Sequence, residues 1–375
     1  MFSVQRFVAM LVKEFVQMRR DRLTFAMMIG VPLMQLVLFG YAINMDPKGL
    51  PAAVVSADSS AFSRSLVRAL ENTGYFRIVA TPASVAEADH LLQMGRVQFV
   101  LQIPEDFSRR LQRGEQAVAL VDADATDPAA TSNALAALNQ VALTGLDHDL
   151  TGPLARPAGA APPLELRVHR RYNPEAITEY NIVPGLMGVV LTMTMVLMTS
   201  VAMTRERERG TMENLLATPV RPLEVMAGKI VPYVIVGYVQ VAVILLAARY
   251  LFAVPMVGSL WLLTSVLVIY ILSLLAIGFT FSTLAKNQMQ AMQMTMFFFL
   301  PSILLSGFMF PFRGMPGWAQ VLGEAIPLTH FLRIVRGILL KGSGLGEIWP
   351  SLWPLGLIFL VVSALALKRY QRTLD

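Results

Sequence analysis

A series of apolar segments constrains this chain more than any other feature of its sequence. A helix that crosses a bilayer needs roughly 20 consecutive apolar residues, and six segments of the chain approach or exceed that length. They occupy residues 24–44, 182–203, 230–252, 260–284, 292–310 and 348–367. The sequence therefore predicts a membrane α-helical fold with six transmembrane helices.

The composition supports a membrane protein and excludes several classes of function. Only 15% of the residues are charged and 55% are hydrophobic, whereas a soluble domain carries about 25% charged residues. The net charge of +6 comes from basic residues near helix ends, so it does not indicate a nucleic-acid partner. Cysteine is absent, which excludes disulfides, thiolate catalysis and Cys-ligated metal sites.

The amino-terminal part predicts a membrane anchor. Residues 1–23 alternate apolar and basic residues and are interpreted as an amphipathic helix at the inner membrane face. The apolar segment 24–44 is interpreted as the first transmembrane helix. A cleaved signal peptide is the alternative, but its apolar run would be shorter, about 7–15 residues, and would end at a small-residue cleavage site.

Residues 45–177 predict an α/β domain inserted between the first and second transmembrane helices. Expected strands are 52–57, 76–80, 97–103, 117–122 and 164–172, and expected helices are 59–72, 83–94, 105–113 and 128–150. Pro82, Pro104 and Pro128 are expected at or near the first helical position of three of these helices. Alternation of strands and helices is typical of a sheet with crossover helices.

Residues 178–375 predict a five-helix transmembrane domain, and its basic residues predict the orientation. Arginine and lysine cluster at the amino terminus, in the loop 204–229 and at the carboxyl end, so we expect both termini in the cytoplasm and the α/β domain outside it. Residues 312–347 conflict with this rule because they carry four cations on the outer side. We interpret them as an outer re-entrant hairpin whose apolar residues dip into the outer leaflet while the charged tips stay at the surface. The four cations are Arg313, Arg333, Arg336 and Lys341.

Two groups of residues in this domain have both a functional and a packing interpretation. Pro301 interrupts backbone hydrogen bonding within the fifth predicted span, and small residues around it permit close helix contact. Either these positions form a translocation path or dimer interface, or they belong to a kinked, packed helix. The candidates are Gly185, Gly188, Gln293, Phe297, Pro301, Ser302, Ser306 and Gly307.

No catalytic or metal site is predicted. The three carboxylates within residues 122–127 could bind Ca²⁺, but a strand end followed by an Asp127 helix cap is the simpler interpretation. The four histidines are scattered, without the spacing of a zinc hydrolase. Residues 337–343 lack the lysine of a phosphate-binding loop, so we do not expect this chain to hydrolyse ATP by that route.

Motifs along nearly the whole chain resemble one family. They are the charged loop around Arg205–Pro222, Lys286-Asn-Gln, Pro301-Ser-Ile-Leu-Leu-Ser-Gly-Phe-Met-Phe-Pro311 and Pro327-Leu-Thr-His-Phe331. Together with the inserted domain they resemble ABC type-2 exporter permeases of the bacterial multidrug-efflux branch, which have a large extracytoplasmic domain. The resemblance implies a multi-pass protein of the bacterial inner membrane that contacts membrane lipid and pairs with a second permease copy, the same chain or a sibling. It also implies a cytoplasmic ABC ATPase subunit, which binds ATP and Mg²⁺, and, in Gram-negative relatives, often a periplasmic adaptor protein.

By this resemblance, residues 211–221 within the coupling loop 204–229 match the coupling helix of that family, which touches the ATPase. From the residues alone, 211–217 are expected to form a short amphipathic helix closed by Pro219, with an ordinary solvated loop as the alternative. The residues carried over as ATPase-coupling are Arg207, Thr211, Met212, Glu213, Asn214, Leu215, Leu216, Pro219 and Arg221.

The resemblance implies export of a hydrophobic or amphipathic small molecule, a drug or toxic compound, by a subunit that is not itself an enzyme. Two alternatives stay open. One is a permease for lipid or polysaccharide export. The other is a membrane receptor that does not transport and that uses the α/β domain to bind its ligand.

Overall fold

The computed structural model describes residues 46–154, 161–208 and 222–372. Within these ranges the chain forms an α/β domain followed by a helical bundle. The predicted amphipathic helix 1–23, the first predicted span 24–44 and nearly all of the predicted coupling residues lie outside the described residues.

The α/β domain contains one sheet of five strands. The strands are β1 (Leu50–Ser56), β2 (Phe76–Ala80), β3 (Phe99–Ile103), β4 (Ala117–Asp124) and β5 (Leu164–Arg171). The sheet order is β2-β1-β3-β4-β5, and only the pair β3–β4 is antiparallel. The predicted crossover topology is therefore right for three of the four strand pairs, and the short segment between β3 and β4 reverses the chain direction.

Four helices connect the strands of this domain. They are α1 (Ala61–Asn72), α2 (Val85–Gln93), α3 (Phe107–Gln112) and α4 (Pro128–Thr144). The predicted start of α4 is confirmed, because Pro128 follows the N-cap Asp127, whose carboxylate accepts a hydrogen bond from the Ala130 N–H. The start predicted at Pro82 is wrong. Helix α2 begins three residues later, because Ser84 and Glu87 form a capping box that satisfies the N–H groups of Glu87 and Ala83.

The bundle begins with α5 (Thr178–Glu208), a helix of 31 residues. It is followed by α6 (Pro222–Tyr250), α7 (Leu260–Leu284) and α8 (Gln288–Leu305). Two short helices come next, α9 (Gly317–Glu324) and α10 (Pro327–Arg336), and a π-helical turn, Gly337–Lys341, leads to α11 (Leu345–Arg372). Helices α9 and α10 form the hairpin, which occupies the region predicted to be re-entrant.

Four helices in the described part of the chain are long and apolar enough to cross a membrane. They are Thr178–Glu208, Ile230–Tyr250, Leu260–Leu284 and Leu345–Arg369. The fifth predicted span, 292–310, does not have these bounds. Helix α8 begins earlier, with three glutamines in its first six residues, and ends at Leu305, because Gly307 adopts a positive φ of 85°. The described residues therefore confirm a helical membrane domain but not the predicted number of six spans.

The hairpin is packed into the bundle rather than lying on it. Tyr270 of α7 stacks on Phe331 of α10, with ring centroids 4.1 Å apart and an interplanar angle of 4°. Both rings are fully buried. A Cβ atom at Gly188 of α5 would lie only 2.9 Å from Phe331 Cδ1 and 2.7 Å from Leu328 Cδ1. Glycine at this position is what lets α10 reach the backbone of α5.

All four tryptophans of the chain lie at the same end of the bundle. Helix α5 starts at this end, which we call the domain end because Asn181 of α5 contacts Asp127 of the α/β domain there. The tryptophans are between 43% and 85% exposed. They are Trp261, Trp318, Trp349 and Trp353. Tryptophan is enriched where a membrane protein meets the headgroup layer, so we expect that layer at the domain end.

We predict that Gly188→Ala destabilises the bundle by about 1–3 kcal/mol, the usual cost of overpacking. The added methyl group would clash with Phe331, which cannot move because it is stacked on Tyr270. The measurement is the midpoint of thermal unfolding in detergent. Gly346→Ala is the matched control, because a Cβ atom there meets nothing within 4 Å. Equal midpoints for the two variants would show that the contact is unimportant.

Candidate functional site

Side-chain hydrogen bonds fasten the carboxyl end of α5 to α7 and α8. Arg207 donates from Nη1 to the carbonyl of Ser282 at 3.1 Å, and Arg205 donates from Nε to Gln288 Oε1 at 3.2 Å. Glu208 accepts the backbone N–H of Gln288 at 2.8 Å and also its side-chain amide. We call these residues the latch, and the end of the bundle where they lie the latch end. They are Arg205, Arg207, Glu208, Ser282 and Gln288.

The Lys286-Asn-Gln motif has a defined structural role beside the latch. Asn287 caps α8, because its Oδ1 accepts the N–H of Gln290 at 2.8 Å. Gln290 in turn accepts the N–H of Lys286 at 2.9 Å, so the two side chains form a reciprocal cap. The sequence pointed to this motif but gave no sign that Gln288 would hold the end of α5.

The latch adjoins the predicted coupling segment. Arg207 is the one predicted ATPase-coupling residue that the structure describes, and it belongs to α5, because the helix continues five residues beyond the predicted end of the span. The other coupling residues lie outside the described ranges, and their role stays a prediction. Glu208 is bonded to α8 and Arg207 to α7, so the latch joins the end of α5 to both helices.

Gly185 and Gly188, predicted for the translocation path or dimer interface, face the inside of the helical bundle. A Cβ atom at Gly185 would lie 2.7 Å from Phe308 Cδ2 and 3.3 Å from Leu332. Gly188 meets Leu328 and Phe331 in the same way. Both glycines therefore act as the contact surface of α5 for the hairpin and for the chain that leads to it.

Four more of the predicted residues lie in the last turns of α8 and just beyond it. Pro301 is inside the helix, and Ser302 donates from Oγ to the carbonyl of Phe298 at 2.7 Å. Ser306 is the C-cap residue, and Gly307 ends the helix with its positive φ. Gly307 also has a tertiary contact, since its carbonyl accepts a hydrogen bond from Arg336 at 3.2 Å.

Phe297 and Gln293 lie on a different part of α8. Phe297 is 41% exposed, and three methionines of the same helix are also exposed. They are Met289, Met292 and Met296. Gln293 is half-buried. This part of α8 carries flexible, polarisable side chains, which adapt to irregular apolar partners.

Hydrogen bonds between buried hydroxyl groups join the long helices. Thr192 of α5 and Tyr270 of α7 lie 2.6 Å apart, and the Tyr270 hydroxyl donates to the carbonyl of Gly188 at 2.9 Å. Ser200 of α5 lies 3.0 Å from Thr295 of α8. Sequence analysis missed these pairs, although the placement of a tyrosine inside an otherwise apolar span was a usable signal.

The α/β domain is attached to the domain end through charged groups, which we call the domain junction. Lys341, at the end of the π-helical turn, pairs with Asp124 at 2.5 Å, and both side chains are at least nine-tenths buried. Arg313 donates to the carbonyl of Gly95. Asn181 of α5 donates to Asp127 Oδ1 at 3.4 Å. The carboxylates at the end of β4 and just after it therefore contact both α5 and the turn that follows the hairpin.

The junction corrects the explanation given above for the cations of residues 312–347. They were expected at surface tips, but Lys341 is buried against the α/β domain. Arg336 is half-buried, and its Nε and Nη2 atoms are inaccessible to solvent. Arg333 remains exposed and pairs with Glu324 at 2.7 Å. Lys341 and Arg336 therefore lie on a surface of the bundle that faces Asp124 and Asp127 at the end of β4 and just after it.

The three carboxylates of residues 122–127 have different partners. Asp122 accepts one hydrogen bond from Gln102, at 2.6 Å, and pairs with Arg171 at 3.2 Å. Asp124 binds Lys341, and Asp127 caps α4. In the described part of the chain, no group of three potential metal-ligating side chains comes together. The structure thus accounts for this motif through helix capping and domain attachment.

A cavity of about 460 Å³ lies between the α/β domain and the hairpin. Its wall includes the loop after α2, the acids after β4, the hairpin and the first turns of α11. Five cationic side chains and four carboxylates line it. The cations are Arg96, Arg313, Arg333, Arg336 and Lys341, and the acids are Asp124, Asp127, Glu324 and Glu347.

Burial shifts the pKa of Asp127 and of Tyr172, which lie at or near this cavity. It raises the pKa of Asp127 above its ordinary value of 3.8, against the opposing attraction of Arg336. It also raises the pKa of Tyr172 to about 12, with Asp124 contributing in the same direction. Loss of hydration disfavours the charged form of either group, so Asp127 is a weaker counter-ion than its position suggests.

The chain matches the family described as ABC-2 family transporter protein over residues 22–368. It belongs to this family: it is an ABC type-2 permease and a multi-pass membrane protein. It is similar to the probable multidrug ABC transporter permease YbhR of Escherichia coli strain K12, with 30% identity over 360 residues, or 96% of each chain.

Two further relatives from the same strain show comparable similarity. The probable multidrug ABC transporter permease YbhS is 28% identical over 366 residues, which cover 96% of this chain and 94% of the relative. The inner membrane transport permease YhhJ is 27% identical over 362 residues, which cover 91% and 93% of the two chains.

We predict that Asp127→Asn raises stability at pH 7 and flattens its dependence on pH. When the pKa of an acid is higher in the folded protein than in the unfolded chain, the protein loses stability as the pH rises from the unfolded-state pKa through the folded-state pKa. Asparagine removes that loss and still caps α4. The measurement is the unfolding midpoint of the purified protein between pH 4 and pH 7, at roughly unit steps across the range in which buried carboxyls titrate.

Asp106→Asn is the contrasting control for this prediction. A hydrogen bond from Arg110 lowers the pKa of Asp106, so its stabilising effect is present at neutral pH and is lost as the pH falls. Asp106→Asn at this exposed position should therefore give no increase in the unfolding midpoint at pH 7. A lower midpoint for Asp127→Asn than for the unmodified protein at pH 7 would contradict the proposed role of burial.

The latch predicts that residues 208 and 288 can be cross-linked. Because the chain has no cysteine, Glu208→Cys combined with Gln288→Cys should react with a short bifunctional thiol reagent, and peptide mass spectrometry should detect the bridge. Glu208→Cys with Trp261→Cys is the control, since α7 separates these ends by about 37 Å at 1.5 Å per residue. Absence of the first bridge, or equal yields for the two pairs, would contradict the latch.

Proposed function

We propose that this chain is the permease subunit of an ABC exporter that moves a hydrophobic or amphipathic small molecule out of the cytoplasm or inner leaflet. A separate ABC ATPase subunit binds the ATP and Mg²⁺ that drive transport, and the chain needs no cofactor of its own. Membership of the ABC-2 family supports the partnership with an ATPase. The multidrug names of YbhR and YbhS support a drug or toxic compound as the substrate.

The observation that carries the proposal is the continuity of α5. This helix is 31 residues long, which corresponds to about 46 Å at 1.5 Å per residue. It starts at the domain junction, where Asn181 contacts Asp127, and it ends at the latch beside the predicted coupling loop. A movement that the ATPase imposes on the loop can therefore reach both the latch helices and the α/β domain through one element.

The proposal includes an orientation and the full set of spans. Residues 24–44 and α8 cross the membrane together with the four long apolar helices, so that both termini are cytoplasmic in the bacterial inner membrane. Arg205 and Arg207 at the latch end support this, because arginine is retained on the cytoplasmic side. The α/β domain lies at the opposite end of α5 and is therefore outside the cytoplasm.

The exposed part of α8 is the proposed route for substrate and contact for a second permease copy. Phe297 and the exposed methionines of α8 offer an apolar, adaptable surface of the kind that poorly specified substrates need. The α/β domain is the proposed contact for a periplasmic adaptor. Export of lipid or polysaccharide is the alternative within the same architecture.

Reversal of charge in the loop tests the coupling. Glu213→Arg should abolish co-purification of the ABC ATPase while leaving the chain in the membrane. Cells that express this variant should accumulate a fluorescent dye such as ethidium several-fold more than cells with the unmodified chain. Glu179→Arg makes the same change at the other end of α5, where the residue is exposed, and should leave both measurements unchanged.

The other outcomes distinguish the alternatives. If the ATPase stays bound to Glu213→Arg, the loop is not the coupling element. If the ATPase co-purifies but dye accumulation never depends on the chain, lipid or polysaccharide export becomes the better proposal. If no ATPase co-purifies, even with a cross-linker and an ATP analogue, the chain is better explained as a receptor.

A further inference from the structure

Five cationic and four acidic side chains line the cavity at the domain junction, and only some of the cations form ion pairs with these acids. Two of its cations are paired, Lys341 with Asp124 and Arg333 with Glu324. Arg96, Arg313 and Arg336 have no carboxylate partner in the described part of the chain. Asp127 and Glu347 are the remaining acids, and they accept hydrogen bonds from backbone N–H groups.

Among these cations, Arg336 has buried hydrogen-bond donors that are left without acceptors. Its Nη1 atom donates to the carbonyl of Gly307, but its buried Nε and Nη2 atoms have no hydrogen-bond partner. Asp127 and Asp124 are near enough to attract the guanidinium electrostatically, yet neither is bonded to it. A buried donor without an acceptor is costly, and more so when it carries charge. An acceptor from outside the protein that bonds to Nε and Nη2 of Arg336 would remove this cost.

Gln98 is a second residue at this cavity with a buried polar atom that lacks a hydrogen-bond partner. Its Oε1 is buried and has no donor within hydrogen-bonding distance. A ligand that completes the cavity would thus present an anionic group to the arginines and a hydroxyl or other donor to Gln98. Apolar side chains also line the cavity, including Leu332, Ile334 and Ile348, so the ligand can carry an apolar part.

The tryptophans place this cavity at the level of the lipid headgroups. Trp349 lies on the first turns of α11, next to the cavity residues Ile348 and Pro350. Trp318 lies on α9, two residues before the cavity residue Gln320. Since exposed tryptophans are typical of the headgroup layer, we expect phosphate groups of that layer beside the cavity.

We propose that the cavity between the α/β domain and the hairpin binds an anionic phosphate group, which Arg336 holds together with Arg313 and Arg96. The source of the phosphate is a phospholipid headgroup of the adjacent leaflet or a free phosphate compound. Guanidinium groups suit this role because their planar donors match phosphate oxygens in pairs. The site goes beyond the proposed transport function, and it does not depend on the substrate or the direction of transport.

Binding to the purified full-length chain, with any ATPase that co-purifies, tests the proposal. The probes are short-chain phosphatidylglycerol, short-chain phosphatidylcholine and inorganic phosphate, each titrated in neutral detergent at constant ionic strength. We expect phosphatidylglycerol to bind more tightly than the zwitterionic lipid. Arg336→Gln should raise the Kd for the anionic lipid by about tenfold, equivalent to about 1.4 kcal/mol.

Matched variants separate loss of the site from loss of the fold. Arg313→Gln should also weaken binding, and it carries the test if Arg336→Gln does not fold, because Arg313 is exposed. Arg336→Lys should give an intermediate Kd, because lysine keeps the charge but not the paired donors. Arg109→Gln removes the same charge from exposed helix α3 and should leave the Kd unchanged.

The outcomes also identify the source of the phosphate. Binding of phosphatidylglycerol without binding of inorganic phosphate assigns the site to a lipid headgroup. Binding of both, with the same dependence on Arg336, assigns it to free phosphate compounds. The proposal is overturned if neither probe binds, or if the arginine variants bind as tightly as the unmodified protein.

Discussion

The close contact between α5 and α10 is the interaction on which the rest of the structure depends. It requires a residue without a side chain at Gly188, so that Phe331 can pack against the α5 backbone while its other face stacks on Tyr270. The Tyr270 hydroxyl is satisfied by Thr192 and by the Gly188 carbonyl. Three helices are thereby fixed around one buried aromatic pair, and the hairpin gains a defined position in the bundle.

The position of the hairpin determines how the α/β domain is attached. The π-helical turn after α10 places Lys341 against Asp124, and α10 itself brings Arg336 toward the acids after β4. Asn181 of α5 reaches Asp127 beside them. A short stretch of sequence after β4 therefore receives contacts from both elements that meet at Gly188, so that the packing of the bundle and the attachment of the domain are linked.

The sequence predicted elements that depend on local chemistry and missed those that depend on contacts between distant residues. Asp127-Pro128 identified the start of α4 because capping involves neighbouring residues only. The capping box of Ser84 and Glu87 was equally local and was overlooked. In contrast, Lys341 looked anomalous among the cations of residues 312–347, because its partner Asp124 lies 217 positions away in sequence. Residues 24–44 and the coupling segment after Arg207 stay predictions.

The short length of α10 has a consequence for how the chain assembles. Ten residues rise about 15 Å, half of the roughly 30 Å hydrocarbon thickness, so this helix cannot enter the bilayer as an ordinary spanning segment. Yet its buried side chains need the surfaces of α5 and α7 already in place. We therefore expect the hairpin to pack after α5 and α7 have been inserted, in the space that Gly188 leaves between them.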